Sequence, residues 1–182
     1  MLKKRELAEV TRLYELVSHP EVYPFVRQKA NTLDEFYFIT KQTIEAEERG
    51  ELISRTILNE YGQPIGVISL FDITKSIGFL ATWIGQPYFG MGYNRAAKEE
   101  FFDDLFHCYN IKTIFMKVRK TNKRSAKAVA KLPYVIRAND VYPKFYKTVN
   151  SKGDIYDLYA IPSHLYQSYK QTTPLKGTED VI

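Results

Sequence analysis

The chain has 182 residues, of which 45% are apolar, and its formal net charge is +5. This length and apolar content suit one domain with a buried core, and no apolar run approaches the roughly 20 residues that a membrane-spanning helix needs. A single cysteine, Cys108, excludes an internal disulfide and favours a reducing, cytoplasmic location.

Two helices are predicted near the start of the chain. Residues 7–17 carry apolar side chains at helical spacing, and His19-Pro20 stops the pattern. Residues 32–35 read Thr-Leu-Asp-Glu, a capping-box pattern that opens a second helix reaching about residue 49. Gly50 is placed to end that helix.

The middle of the chain alternates strands and helices, which indicates an α/β domain with a mixed sheet. The polar residues from 167 onward predict a loose tail, so we expect the domain to cover 1–166 and the tail 167–182. The predicted strands are 52–58, 65–71, 78–84, 112–118, 143–149 and 154–161, and the later predicted helices are 93–109 and 125–132.

A glycine turn joins the strand 78–84 to the helix 93–109. Its sequence is Tyr88-Phe89-Gly90-Met91-Gly92-Tyr93-Asn94. Such a turn directs several backbone N–H groups toward one point, with the positive end of the helix dipole behind them, and this arrangement suits a phosphate or diphosphate. Ordinary turn chemistry explains the same glycines, because neither a P-loop nor a full dinucleotide fingerprint is present.

Two further motifs follow in a fixed order. They are Asn122-Lys123-Arg124-Ser125-Ala126 and Lys131-Leu132-Pro133-Tyr134. Together with the glycine turn, they resemble the GNAT family of acetyl-coenzyme A-dependent N-acetyltransferases, in particular the branch that includes ribosomal-protein N-terminal acetyltransferases. The resemblance covers residues 13 to 161 and departs from the family at Pro133, which stands in a usual glycine position.

The resemblance implies a single-domain α/β fold of GNAT type. Its sheet is mixed and mostly antiparallel, helices flank it, and its central parallel strand pair splays apart around acetyl-CoA. Here that pair is 79–85 and 112–118. The family also begins with a strand before the first helix, and in this chain that strand is short, replaced or missing.

The resemblance further implies a set of cofactor-binding residues. The diphosphate is expected on the backbone amides of residues 88–93, and a backbone N–H near 81–83 is expected to polarise the thioester carbonyl. Arg95, Lys123 and Arg124 are candidates for the 3′-phosphate, although each is equally explained as a solvated surface cation. The full predicted set is Trp83, Ile84, Tyr88, Phe89, Gly90, Met91, Gly92, Tyr93, Asn94, Asn122, Arg124 and Ser125.

The catalytic residues are less marked in the sequence. The family's thiolate-protonating tyrosine falls on Val129, so Ser125 is the candidate acid, and Asp72 is a candidate base by residue type alone. N-capping explains Asn122 and Ser125 equally well, and a turn cap explains Asp72. A water chain is the alternative base, because a free α-amine titrates near about 8 and is partly neutral at physiological pH.

By analogy with the family, aromatic residues near the first helices form one wall of the acceptor site. They are Tyr23, Phe25, Phe36 and Tyr37. No histidine has metal-ligand spacing, so no metal is expected.

The sequence is compatible with three functions. The leading prediction is an N-acetyltransferase that moves an acetyl group from acetyl-CoA to a primary amine, either a protein N-terminus or a small molecule. The alternative is a GNAT-like domain that binds an acyl-CoA with little or no turnover. A nucleic-acid-binding module is the third, and the basic charge allows it, but no binding motif supports it. A membrane partner is not expected, and a homodimer is plausible.

Overall fold

The computed structural model describes residues 1–172, which divide into two compact units: Met1–Ile111 and a second unit that begins at Lys112. Each unit has its own strands and helices. Within the described residues, every helix is either too short or too polar to cross a bilayer.

The first unit contains four strands that pair in chain order as one antiparallel sheet. Short 3-10 turns cover Leu7–Glu9, Tyr23–Phe25 and Gln86–Tyr88. The family's first strand is present in short form, because the three residues Leu2–Lys4 pair with the strand Ile53–Leu58. The elements are β1 (Leu2–Lys4), α1 (Val10–Val17), α2 (Leu33–Glu48), β2 (Ile53–Leu58), β3 (Pro64–Thr74), β4 (Ile77–Ile84) and α3 (Tyr93–His107).

Helix α2 begins and ends as the sequence predicts. The Thr32 hydroxyl accepts a hydrogen bond from the Glu35 amide at 3.1 Å, while the Glu35 carboxylate accepts from the Asn31 amide, one residue earlier than in a standard capping box. At the other end, Gly50 has a φ of +74°. The Gly50 and Glu51 amides donate to carbonyls of the last helical turn, which is the Schellman motif.

The apolar face of α1 packs with α2 and the sheet into one core. Buried residues of this cluster are Val10, Leu13, Val17, Val22, Ala30, Phe36 and Val67. Trp83, on β4, is partly buried and packs against the same cluster, so core packing accounts for its indole ring. The helix periodicity of residues 7–17 therefore identified a true core face.

The second unit has a three-stranded antiparallel sheet in which the strand Tyr156–Pro162 pairs with Thr113–Arg119 on one side and with Ile136–Arg137 on the other. Over the described residues, its elements are β5 (Thr113–Arg119), α4 (Lys123–Ala130), β6 (Ile136–Arg137), α5 (Pro143–Val149), β7 (Tyr156–Pro162) and α6 (Ser163–Thr172). The sequence missed β6 and α6.

The predicted strand at 143–149 is wrong, because these residues form helix α5. Pro143 occupies the start of the helix, where its missing N–H is tolerated. The rings of Tyr142 and Phe145, three residues apart, both contact Phe115, with centroid separations of 5.0 and 4.7 Å. Helical spacing of the aromatic residues therefore outweighs their preference for strands.

The predicted tail is helical at its start. Helix α6 extends to Thr172, so residues 167–172 are ordered as a helix, and residues 173–182 lie outside the described part. Tyr166 of α6 is fully buried, and its ring meets the buried Tyr134 ring edge-on at 4.9 Å. The domain boundary at residue 166 stays a prediction.

Candidate cofactor site

The glycine turn predicted from the sequence follows β4 through the 3-10 turn and leads directly into α3. Gly90 and Gly92 have φ angles of +77° and +87°, a region that other residues adopt only under strain. A Cβ placed on either glycine meets no atom within 4 Å. The glycines are therefore required by backbone conformation, and the space beside them is open.

The backbone amides of this turn fall into two groups. Those of Tyr88 and Phe89 donate to the carbonyls of Gly85 and Gln86, at 3.0 and 3.1 Å. Those of residues 90–94 have no acceptor among the described residues, and the next two, at 95 and 96, donate to the Gly92 carbonyl as the helix begins. Five consecutive donors at the positive end of a helix form an anion-binding arrangement.

Two buried side-chain oxygens near the turn also lack a partner within residues 1–172. They are Oδ1 of Asn94, in the first turn of α3, and Oγ1 of Thr82, on β4. A buried polar atom without a partner is costly, typically by about 1–3 kcal/mol, and is therefore uncommon in folded proteins. Asn94 belongs to the predicted cofactor set, whereas Thr82 was not singled out.

The pairing of β4 with β3 determines which backbone amides of β4 are already hydrogen-bonded. The Gly85 amide donates to the Ile65 carbonyl at 2.8 Å. Hydrogen-bonded positions alternate along an antiparallel pair. The backbone amides of Trp83 and Ala81 therefore also face β3, where these residues pair with Val67 and Ser69. The amides of Thr82 and Ile84 point away from β3. Within residues 81–83, where the carbonyl-polarising N–H is predicted, only the Thr82 amide is not directed at β3.

The candidate base Asp72 lies at an irregular point of the β3–β4 pairing, with a φ of +54°. Both of its carboxylate oxygens accept hydrogen bonds from one Arg27 nitrogen, at 3.0 and 2.9 Å. The Arg27 guanidinium also lies 4.5 Å from the centroid of the Phe71 ring. A structural ion pair therefore accounts for Asp72 without a catalytic role.

The four predicted acceptor-site aromatics do not share one environment. Phe25 and Tyr37 are exposed, and the Tyr23 hydroxyl donates to Asn31 Oδ1 at 2.9 Å. Phe36 is only 7% exposed and belongs to the core cluster, so packing explains it. Tyr23, Phe25 and Tyr37 keep solvent-exposed surface, and their place in an acceptor site stays a prediction.

The predicted residues of the second unit cluster at the start of α4. Asn122 caps this helix, because its Oδ1 accepts from the Ser125 amide at 3.0 Å. Ser125 is half-buried and Arg124 is exposed. Val129, at the family's tyrosine position, is 1% exposed, so packing explains it. The capping interpretation of Asn122 is thus confirmed, and it leaves a second role for the side chain open.

Sequence reasoning missed one titratable residue of α3. Lys98 is 6% exposed, and burial lowers the pKa of its ammonium group from 10.5 to about 8. It lies one turn after Asn94 and one turn before the buried Phe102. The signal was available, since a lysine interrupts the apolar spacing of this helix.

The model of the Acetyltransferase (GNAT) domain matches residues 1–134. The chain belongs to the GNAT acetyltransferase family. The family resemblance carried by the glycine turn is thereby confirmed. A sequence search of curated proteins finds no match.

Several solved structures share the fold of this GNAT protein. Ribosomal-protein-S5-alanine acetyltransferase from Vibrio fischeri has a TM-score of 0.69 at 16% identity, covering 89% of this chain and 92% of that one. Spermidine N-acetyltransferase from Vibrio cholerae, in complex with CoA and spermine, has a TM-score of 0.71 at 13% identity, with coverages of 92% and 97%. Apo FdhC, a nucleotide-linked sugar GNAT, has a TM-score of 0.73 at 15% identity, with coverages of 93% and 90%.

These similarities confirm the predicted fold class, an α/β fold of GNAT type. The two strands that the sequence assigned to the cofactor are present as β4, in the first unit, and β5, in the second. Because the identities are low, the comparisons establish the fold and leave the substrate to be argued from the site.

Proposed function

We propose that this GNAT protein is an N-acetyltransferase that transfers the acetyl group of acetyl-CoA to a primary amine by direct attack in a ternary complex. The observation that carries the proposal is the run of five backbone amides, residues 90–94, without an acceptor among the described residues. The family match supplies the reaction class, and this run supplies a place for the cofactor's diphosphate.

The diphosphate is placed on amides 90–94 rather than on the 88–93 expected from the sequence, because the Tyr88 and Phe89 amides are already used. Glycine at 90 and 92 lets the phosphate oxygens approach the backbone without meeting a side chain. Asn94 adds a buried side-chain acceptor at the same helix end, suited to an N–H or O–H group of the cofactor.

The Thr82 amide is the proposed donor to the thioester carbonyl. It points away from β3, and the carbonyl oxygen gains negative charge as the amine attacks. One such preorganised donor is worth about 3 kcal/mol in acyl transfer. The remaining rate enhancement is assigned to holding the amine and thioester together, which contributes up to about 7–11 kcal/mol in well-oriented cases.

Ser125 is the proposed acid that protonates the leaving thiolate, with Asn122 and Arg124 as proposed cofactor contacts. Asp72 is not retained as the base, because Arg27 already holds its carboxylate. A neutral α-amine needs less help from a base than a lysine side chain, since their unperturbed pKa values are about 8 and 10.4. This difference favours a protein N-terminus or another weakly basic amine as acceptor.

Calorimetry with CoA and a thiol-release assay with acetyl-CoA test the proposal together. The amine panel begins with an alanine-terminal peptide, spermidine and an amino sugar. Since the exposed Cys108 would react with thiol reagents, the assay uses a Cys108→Ser background. CoA binding with amine-dependent thiol release supports the proposal. Full turnover in Ser125→Ala would remove Ser125 from the acid role.

The second candidate is an acyl-CoA-binding domain with little or no turnover. Val129, buried where the family places its tyrosine, and the ion-paired Asp72 favour it. Under this alternative, CoA binds in the calorimeter and no amine in the panel releases thiol. Absence of CoA binding would contradict both candidates.

A further inference from the structure

The segment 89–92, which we call the cofactor loop, lies between two tyrosines. Tyr88 precedes it at the end of the 3-10 turn, and Tyr93 follows it as the first residue of α3. The two rings meet edge-on, with centroids 6.0 Å apart and planes at 80°. This contact joins the two ends of the loop across its base, in a geometry that aromatic rings prefer.

Each tyrosine is also attached to a different element of the first unit. The Tyr88 hydroxyl accepts a hydrogen bond at 3.3 Å from Arg12 of α1, and Arg12 donates in turn to Glu15. The Tyr93 hydroxyl donates to the carboxylate of Glu60, in the turn between β2 and β3. That bond raises the pKa of Tyr93 to about 12 and lowers the pKa of Glu60.

The interior of the loop has few attachments of its own. Within residues 1–172, Gly90 and Met91 make no hydrogen bond, and Gly92 makes only the two that its carbonyl accepts from the Arg95 and Ala96 amides. Met91 is 60% exposed, and only Phe89 packs against the core cluster. The positions of amides 90–92 therefore depend on Phe89 and Tyr88 at the start of the loop, and on Tyr93 and the first turn of α3 at its end.

We propose that Tyr88 and Tyr93 are positioning residues that hold the cofactor loop in its binding conformation before the diphosphate arrives. This inference rests on the proposed function, because it assigns the loop to a CoA diphosphate. A loop that is already ordered loses less conformational entropy on binding, so the two tyrosine side chains increase affinity although only backbone amides contact the diphosphate. The effect falls on the KM for acetyl-CoA, and kcat at saturation stays close to the wild-type value.

The test compares Tyr93→Phe with Tyr146→Phe. Tyr146, in the second unit, is like Tyr93 a half-buried tyrosine whose hydroxyl donates to a carboxylate, that of Asp154. The two variants therefore lose the same kind of bond. For Tyr93→Phe we expect the Kd for CoA and the KM for acetyl-CoA to rise roughly three- to tenfold, the range of one hydrogen bond. Tyr146→Phe leaves both constants unchanged.

A double-mutant cycle links the effect to the partner. Glu60→Ala removes the same bond from the other side, so the double variant with Tyr93→Phe should bind CoA no more weakly than either single variant. Additive losses would show that the two side chains act independently, and equal losses in Tyr93→Phe and Tyr146→Phe would show a general effect. Either result overturns the positioning role.

Amide exchange measured by NMR without any ligand separates this inference from the proposed function. The Tyr88, Phe89, Arg95 and Ala96 amides are hydrogen-bonded at the two ends of the loop. Tyr93→Phe should accelerate their exchange several-fold if the tyrosine orders the loop. Unchanged exchange refutes the positioning role, whereas wild-type protein that binds no CoA refutes the proposed function alone.

Discussion

Replacing Gly92 by alanine separates the anion-binding role of the turn from its contribution to folding. Gly92 has a φ of +87°, and Gly50, at the end of α2, has a φ of +74°. A Cβ on either residue meets no atom within 4 Å, so neither substitution creates a clash. Both variants carry only the strain of the left-handed region, about 1–2 kcal/mol.

The two variants should therefore lose similar free energy of unfolding and differ in cofactor binding. On the cofactor loop, the added methyl group of Gly92→Ala keeps a diphosphate from approaching the neighbouring amides. We expect its Kd for CoA to rise about tenfold or more, which corresponds to about 1.4 kcal/mol. Gly50→Ala should keep the wild-type Kd. Denaturant unfolding and calorimetry measure the two quantities, and an equal Kd in both variants would refute the anion site.

Three further predictions concern titratable groups. Lys98→Met should raise the free energy of unfolding at pH 7 by up to about 3 kcal/mol, because burial lowers the lysine pKa from 10.5 to about 8. The unfolded state binds more protons between pH 8 and 10.5, so wild-type stability rises with pH across that window; a flat wild-type profile in denaturant melts would contradict this. Asp72→Asn should retain turnover, because the Asp72 carboxylate is already ion-paired with Arg27. A thousandfold loss in kcat would instead indicate that Asp72 is the general base. In wild-type protein, ultraviolet absorbance should show Tyr93 ionising near pH 12, so its contribution to stability is present below pH 10 and lost as pH rises through 12. Glu60→Ala should return the titration toward 10, and no change between the two proteins would exclude the bond.

Local signals predicted much of the fold. The capping residue Thr32 and the terminating Gly50 mark both ends of α2, because each satisfies backbone groups that every helix leaves open. The strands predicted at 52–58 and 65–71 are present as β2 and β3. The strand predicted at 143–149 is a helix instead. The aromatic residues there favour strands, but Tyr142 and Phe145 have helical spacing and both pack on Phe115.

The candidate site was predictable in type and not in detail. The glycine turn identified the loop, because only glycine adopts the φ angles at 90 and 92 without strain. The 3-10 turn before the loop determines which amides are already hydrogen-bonded. The sequence motifs do not specify this turn. Likewise, the partners of Asp72 and Tyr93 lie 45 and 33 residues away along the chain, so only the folded structure shows them.

The edge-on contact between Tyr134 and Tyr166 in the second unit limits where this polypeptide can be shortened. The family match ends at residue 134, yet Tyr134 is covered by Tyr166, a residue 32 positions later on α6. A chain truncated after Pro162 would retain β5, β6 and β7 and leave the Tyr134 ring open to water. Helix α6 is therefore part of the packed core of the second unit, and expression work should keep it.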